Sequence, residues 1–303
     1  NNEFLKRSRH KKIFYNEAAS VKLGWEPEWF GATEIDEVLV RNVKKFQKEH
    51  GLTADGLVGP TTFRRVWTQR ESEIEKYQPS TLSAADGGFI LYNNDYHEIK
   101  WNKVVLPFNR GGKKFSKGYK RVMTKRKPNM FVTHWDVCLS ADSCFRVLER
   151  RGLSIHFTID NDGTIHQYLD LNHIAYHAGS SKWNKASIGV EISNAYYPKY
   201  QKWYESNVGK PRPVVEGAKV HNRSMETHLD FYPEQIAALK ALYRAIHEAT
   251  GIPYATPSTN TVSRPCVLGS YKGYIHHYNL TRNKIDCGGL DIAAIMEELK
   301  NER

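Results

Sequence analysis

Apolar residues recur at helical intervals near the start of the chain. In residues 36–50, Val38, Val43, Phe46 and Gln47 share one side of a helical period, and Gly51 follows as a residue that tolerates positive φ at a helix end. A glycine-rich turn, residues 52–60, leads to Thr61, where a second helix is predicted, with Thr61 or Thr62 near its cap and Phe63, Val66 and Trp67 turned inward. Two short helices bury too little surface alone, so a further helix near residues 17–23 is expected to complete the bundle.

Pro79, Ser80, Ser83, Gly87 and Gly88 then break the pattern and mark a linker. Residues 89–109 read as one or two short strands with aromatics. From Met130 strands and helices alternate. Residues 131–135, 155–159, 187–192 and 274–276 read as strands, and 164–168 as a strand paired back on 155–159 through a turn at 160–163. Helical spacing covers 140–150, 233–249 and 290–299, with Ile236, Leu239, Leu242, Tyr243 and Ile246 making the second of these the clearest helix. The expected architecture is α/β, a mixed central sheet flanked by helices, behind a small N-terminal three-helix domain. The boundaries drawn are 13–78 for the helical domain, 79–88 for the linker and 89–303 for the larger domain with an inserted basic loop.

Composition narrows the partners. The 303 residues carry 44 Lys and Arg against 33 Asp and Glu, a formal charge of +11 that favours an anionic partner without choosing among nucleic acid, acidic membrane and acidic wall polymer. Much of the excess lies between Lys100 and Lys127, where no acidic residue intervenes. That stretch is either a solvated basic loop or a surface that steers an anionic polymer. Four irregularly spaced cysteines do not make a disulfide scaffold or a zinc knuckle, and fit synthesis in a reducing compartment. No apolar run is long enough to span a bilayer, and no signal-peptide segment follows the basic amino end.

Three residues at predicted strand ends have the chemistry to hold a metal. His134 ends the first strand of the larger domain, His276 the last, and Asp286 follows ten residues later. Two imidazoles and a carboxylate leave a fourth position for water, which distinguishes a hydrolytic centre from a structural one. Glu191, at the end of another strand, is placed to take a proton from such a water, and Lys284 to face an oxygen that gains negative charge. By spacing alone a histidine at a strand end is more often explained by an ordinary hydrogen bond.

The chain resembles known families in two places. VRNVKKFQKEHGLTADGLVGPTTFRRVW, residues 40–67, is similar to the three-helix peptidoglycan-binding domain found beside wall-degrading enzymes. FVTHWD at 131–136, SIHFTIDNDGTIHQYLD at 154–170, AYHAGSSKWNKASIGVEISN at 175–194 and HHYNLTRNKIDCGG at 276–289 resemble, in that order, the motifs of zinc-dependent N-acetylmuramoyl-L-alanine amidases, which share their fold with peptidoglycan recognition proteins. The resemblance implies one Zn2+ ion held by His134, His276 and Asp286, with Glu191 as general base and Lys284 stabilising the oxyanion. Some members carry a catalytic tyrosine immediately before the position of His156; Ile155 stands there, which leaves the role to Glu191. His177, His156, Trp183 and Asn184 are candidates to contact substrate; a structural hydrogen bond is the other reading of His177, a core position that supports a liganding histidine is the favoured reading of His156, and closing the core is as plain a reading of Trp183. His277 is expected to point away from the metal, because neighbouring strand residues face opposite ways.

The implied reaction is hydrolysis of the amide between N-acetylmuramic acid and the L-alanine of the stem peptide. The alternatives are a metallopeptidase cutting within the stem peptide and a noncatalytic recognition module; nucleic acid is not an expected partner. Bacterial peptidoglycan, and with it anionic wall polymers, is the expected partner of a monomer. A wall-binding domain joined to a wall-cutting one with no signal peptide is the arrangement of a phage endolysin, held in the host cytoplasm until it reaches the wall. Residues 98–128 and 252–273 exceed what a minimal amidase domain needs, and are expected to form a lid, a substrate-selecting wall or a small extra sheet.

Overall fold

The computed structural model describes residues 2–74, 76–79 and 88–302, with the side chains of 2–6 and 9 outside the description. Most of the expected linker, 80–87, therefore lies outside the described residues. The chain divides into two compact units, Asn1–Lys76 with Arg146–Arg151, and Tyr77–Phe145 with Gly152–Arg303.

The first unit holds α1 (Asn2–Leu23), a 3-10 turn at Pro27–Phe30, α2 (Glu37–Glu49) and α3 (Pro60–Ile74). The Asp36 carboxylate caps α2 by accepting from the Val38 and Leu39 amides. With the helix phased from that cap, the buried stripe runs Leu39, Val43, Gln47, while Val38 faces outward at 43% exposure, against expectation. The buried Gln47 shows why the Gln and Asp-Gly positions of this motif travel together. Its amide nitrogen donates to Asp55 Oδ1, the Leu57 carbonyl and Thr62 Oγ1, and its oxygen accepts from the Gly56 amide. Gly56 sits at φ 78°, where a Cβ would also strike Val40.

The second unit opens with β1 (Gly88–Tyr92), β2 (Asp95–Ile99), β3 (Val104–Val105) and β4 (Tyr119–Lys120). There follow β5 (Met130–Trp135), α4 (Ala141–Arg151), whose residues Arg146–Arg151 are counted with the first unit, β6 (Phe157–Ile159), β7 (Ile165–Gln167), β8 (Ile174–Ala175), α5 (Ser181–Ala186) and β9 (Ser187–Ile192). An insert then supplies α6 (Gln201–Asn207), β10 (Val214–Val215), β11 (Lys219–Val220), β12 (Arg223–Ser224) and β13 (His228–Leu229). The chain closes with α7 (Pro233–Thr250), α8 (Arg264–Val267), β14 (Gly273–His276) and α9 (Ile292–Asn301).

Six strands form the mixed central sheet in the order β14-β5-β9-β6-β7-β3, with β5 parallel to both β14 and β9. One face packs on α7 and α9 through Phe131, Ile188, Val190, Tyr243, Tyr274 and their neighbours, all at or near zero exposure. On the other face Met130, Val132 and Ile275 meet Ala178, Cys266 and Leu280. Burying one large apolar side chain contributes about 1.5–3 kcal/mol, so this two-sided core fixes the parallel register on which the site depends. Both long segments are built into the fold. Within 98–128, β3 edges the sheet and β4 pairs with β8; within 252–273, the Gly269 and Tyr271 carbonyls accept from the Asn129 side chain. All four cysteines are buried free thiols. No helix among the described residues is long and apolar enough to cross a membrane.

Candidate metal centre

Register decides which side chains meet. Thr133 is level with His276 and bonds Tyr243 of α7 through its hydroxyl, so those two positions face the helical layer. His134 is one residue further on and faces the opposite side, level with Glu191 of β9. The residue level with His134 on the last strand's continuation is therefore His277, carried in a 3-10 turn at His277–Asn279.

The histidine that joins His134 and Asp286 is thus His277 rather than the expected His276. His134 Nδ1 lies 3.0 Å from His277 Nδ1 and 3.1 Å from Asp286 Oδ2, and His277 Nδ1 lies 3.4 Å from the same oxygen. All three residues are buried and offer one donor each to a common point. His276 is engaged elsewhere: its Nδ1 accepts from the Cys287 amide at 3.3 Å, and its ring stacks on Tyr278. His277 therefore points toward His134 and not away from it: neighbouring residues do face opposite sides, and the pairing of β14 with β5 sets which of the two histidines reaches the site.

Hydrogen bonds around the set fix its tautomers. The Ser187 hydroxyl donates to the Trp183 carbonyl at 2.6 Å, so its oxygen accepts from His177 Nε2 at 3.1 Å. His177 Nδ1 is then an acceptor, and receives the proton of His134 Nε2 at 2.9 Å. His277 Nε2 donates to the Ala178 carbonyl at 3.2 Å. Both Nδ1 lone pairs are consequently aimed at Asp286, the orientation a metal requires. Burial pushes the His134 pKa down to about 4, and the neighbouring His277 and, more weakly, the Lys284 ammonium act with it against the Asp286 carboxylate. Burial would raise Asp286, but the two imidazoles hold it well below the usual carboxylate range. A neutral His134 imidazole beside an ionised Asp286 carboxylate, with His277 Nδ1 directed at the same point, is a donor set that fits a divalent cation.

The other sequence candidates take distinct places. Glu191 is half-buried on the site face of β9, and Lys284 is exposed two residues before Asp286. His177 acts on the centre through His134. His156 is buried below it, with Nδ1 accepting from the Gly189 amide and Nε2 donating to the His173 carbonyl. Trp183 packs against the Met130 cluster and donates its indole N–H to Val267, while the Asn184 side chain accepts from the His177 and Ala178 amides. These last two side chains shape the wall of the site. The basic segment also contributes inward: the Arg126 guanidinium donates to the Leu171 and Lys185 carbonyls.

At the end of this mixed sheet two imidazoles and a carboxylate converge into a set able to hold a divalent cation, with Glu191 on the same face of β9 as His134 is on β5. The family profile for N-acetylmuramoyl-L-alanine amidase matches residues 124–288, more than half of the chain, and the chain belongs to that family. Residues 30–66 match a family described as "Putative peptidoglycan binding domain". A curated relative, "Putative N-acetylmuramoyl-L-alanine amidase RC0497" of Rickettsia conorii, is 39% identical over 75 residues, which are 22% of this chain and 28% of the relative's length. Among solved structures, N-acetylmuramoyl-L-alanine amidase LysC from Clostridium intestinale is 16% identical at a TM-score of 0.40, covering 66% of this chain and 99% of that one. AmpDh3 from Pseudomonas aeruginosa, in complex with anhydromuramic pentapeptide, is 18% identical at a TM-score of 0.39, covering 61% and 65%.

Proposed function

We propose that the chain hydrolyses the amide bond between N-acetylmuramic acid and the L-alanine of the peptidoglycan stem peptide, with one zinc ion held by His134 Nδ1, His277 Nδ1 and Asp286 Oδ2. The convergence of those three atoms carries the reading. Their separations of 3.0, 3.1 and 3.4 Å match the roughly 3.3 Å edge of a tetrahedral site with ligand bonds of about 2.0–2.1 Å. Zinc bound there would polarise the amide carbonyl and lower the pKa of a water in the fourth position.

The protein's own residues do the rest. Glu191 takes the proton of the attacking water and returns it to the departing amine of alanine. Lys284, at the exposed rim, offsets the negative charge that grows on the carbonyl oxygen. His177 and Ser187 hold His134 in the tautomer that keeps its lone pair on the metal. The helical unit, with its peptidoglycan-binding profile, holds the enzyme on the wall, and the protein acts there as a monomer. An endolysin that waits in a host cytoplasm fits the pairing of the two units.

Digestion of purified peptidoglycan, followed by mass identification of the new ends, tests the reading. Free muramic acid lactyl groups and new alanine amino termini are expected, lost with a chelator and restored by zinc. Glu191→Gln should keep zinc and fold while lowering turnover by about 10²–10⁴-fold. New ends within the stem peptide would establish a peptidase instead.

A further inference from the structure

Beside Asp286 lies a cavity of about 400 Å³ whose lining includes Val220, Arg223, Met225, Arg282 and Ile285. We propose that it is a subsite for a free carboxylate of the stem peptide, with Arg223 and Arg282 as the selecting residues. The proposal rests on the amide-hydrolysis reading above and adds which form of the substrate is preferred.

The cavity is a built feature of the insert between β9 and α7. Its outer wall is the β11–β12 ribbon, closed by the two-residue turn His221-Asn222 with φ of 54° and 59°. Such turns favour Gly and Asn, and a histidine there is a local cost that the surroundings must offset. Three hydrogen bonds of 2.8 Å do so. The His221 amide donates to the Asn260 carbonyl, its Nδ1 meets Thr261 Oγ1, and its Nε2 donates to the Lys284 carbonyl. The ribbon's base is equally fixed: a Cβ on Gly288, two residues past Asp286, would strike Met225 and Val220 at 2.2 and 2.7 Å. The wall is therefore clasped to the loop that carries Lys284 and Asp286, and to residues 260–261 of the second long segment. Ile285, in the lining, is covalently adjacent to Asp286.

The charge in this cavity points to an anion. Among the described residues neither the Arg223 nor the Arg282 guanidinium has a hydrogen-bond or ion-pair partner, and both residues are exposed. Glu226 also lines the cavity, so the two guanidiniums face a single carboxylate and the local charge stays positive. Val220, Met225 and Ile285 supply the apolar part of the same lining. A peptide that lays aliphatic groups on those side chains and ends in a carboxylate satisfies both parts, and two guanidinium forks suit a carboxylate better than an amide.

The test compares two soluble muramoyl peptides that differ only in whether the stem carboxylates are free or amidated. Each protein's kcat/KM for the free acid is divided by that for the amide, so a general loss of activity cancels. The unsubstituted zinc enzyme should favour the free acid by about tenfold. Arg223→Gln and Arg282→Gln should each lower the ratio, and the double variant should bring it close to one. Lys219→Gln, on the same ribbon outside the cavity, should keep the wild-type ratio. A wild-type ratio near one, or a double variant that keeps the full preference, overturns the subsite. If the wild type cuts both peptides elsewhere than at the muramoyl–alanine bond, the amidase reading fails, and the subsite with it.

Discussion

Each ring nitrogen of His134 has a separate task, Nε2 toward His177 and Nδ1 toward His277 and Asp286, and that division separates two neighbouring histidines by experiment. His277→Ala should lose bound zinc on dialysis, measured as metal per protein. His276→Asn, which keeps an acceptor for the Cys287 amide, should retain one equivalent. A second test concerns His156, whose pKa burial lowers to about 3, with the Arg126 guanidinium acting in the same direction. The unfolded chain binds a proton near pH 6.5 while the folded one refuses it, so the stability is fully present above 6.5 and is lost as pH falls toward 3. The loss is roughly 1.4 kcal/mol per pH unit within that window. His156→Gln should flatten the slope of unfolding free energy between pH 6.5 and 4, followed by denaturant titration. Residue types were legible at this scale: His134 and Asp286, two of the three donors that converge, could be named from sequence. The choice of His277 over His276 was not, because it rests on a hydrogen-bonded register with a strand far away in the chain.

At the scale of elements, β9 shows how a strand carries a site. Its residues at 188, 190 and 192 enter the helical core, and those at 187, 189 and 191 line the other face. The middle position must be small: a Cβ on Gly189 would lie 2.5 Å from His177 Nδ1 and 2.6 Å from Ile155 Cδ1. Gly189→Ala should cost about 1–3 kcal/mol by overpacking. By displacing His177 it should also weaken zinc binding about 10–100-fold, read by chelator competition. Loss of stability with unchanged zinc affinity would show that His177 does not orient His134. The strand itself, 187–192, was readable because five of its residues sit in a dense apolar and small run before a turn. The insert between β9 and α7 was not: strands of two residues carry no periodicity, and their pairing follows from contacts with the Lys284 loop.

For the whole molecule the net charge of +11 is divided between structural and surface roles. Arg126 is committed to carbonyl partners inside the larger unit, whereas Lys114, Lys117, Lys120, Arg121, Lys125 and Lys127 are exposed. Added salt should therefore weaken retention on whole cell walls, measured by cosedimentation, far more than hydrolysis of a small soluble muramoyl peptide. Equal sensitivity of the two would remove the case for long-range attraction by this segment. The basic run was plain in the sequence, but not the inward turn of one of its members.

The four sulfhydryls add a consequence for the molecule's working conditions. Each is sealed inside the protein, and Cys287, the one nearest the site, is kept as a thiol well above its ordinary pKa by burial and by the carboxylates around it. With no cross-link to make or break, the folded chain should be indifferent to a move between reducing and oxidising surroundings. A thiol-reactive dye should label the native protein at none of these positions and the denatured protein at all of them.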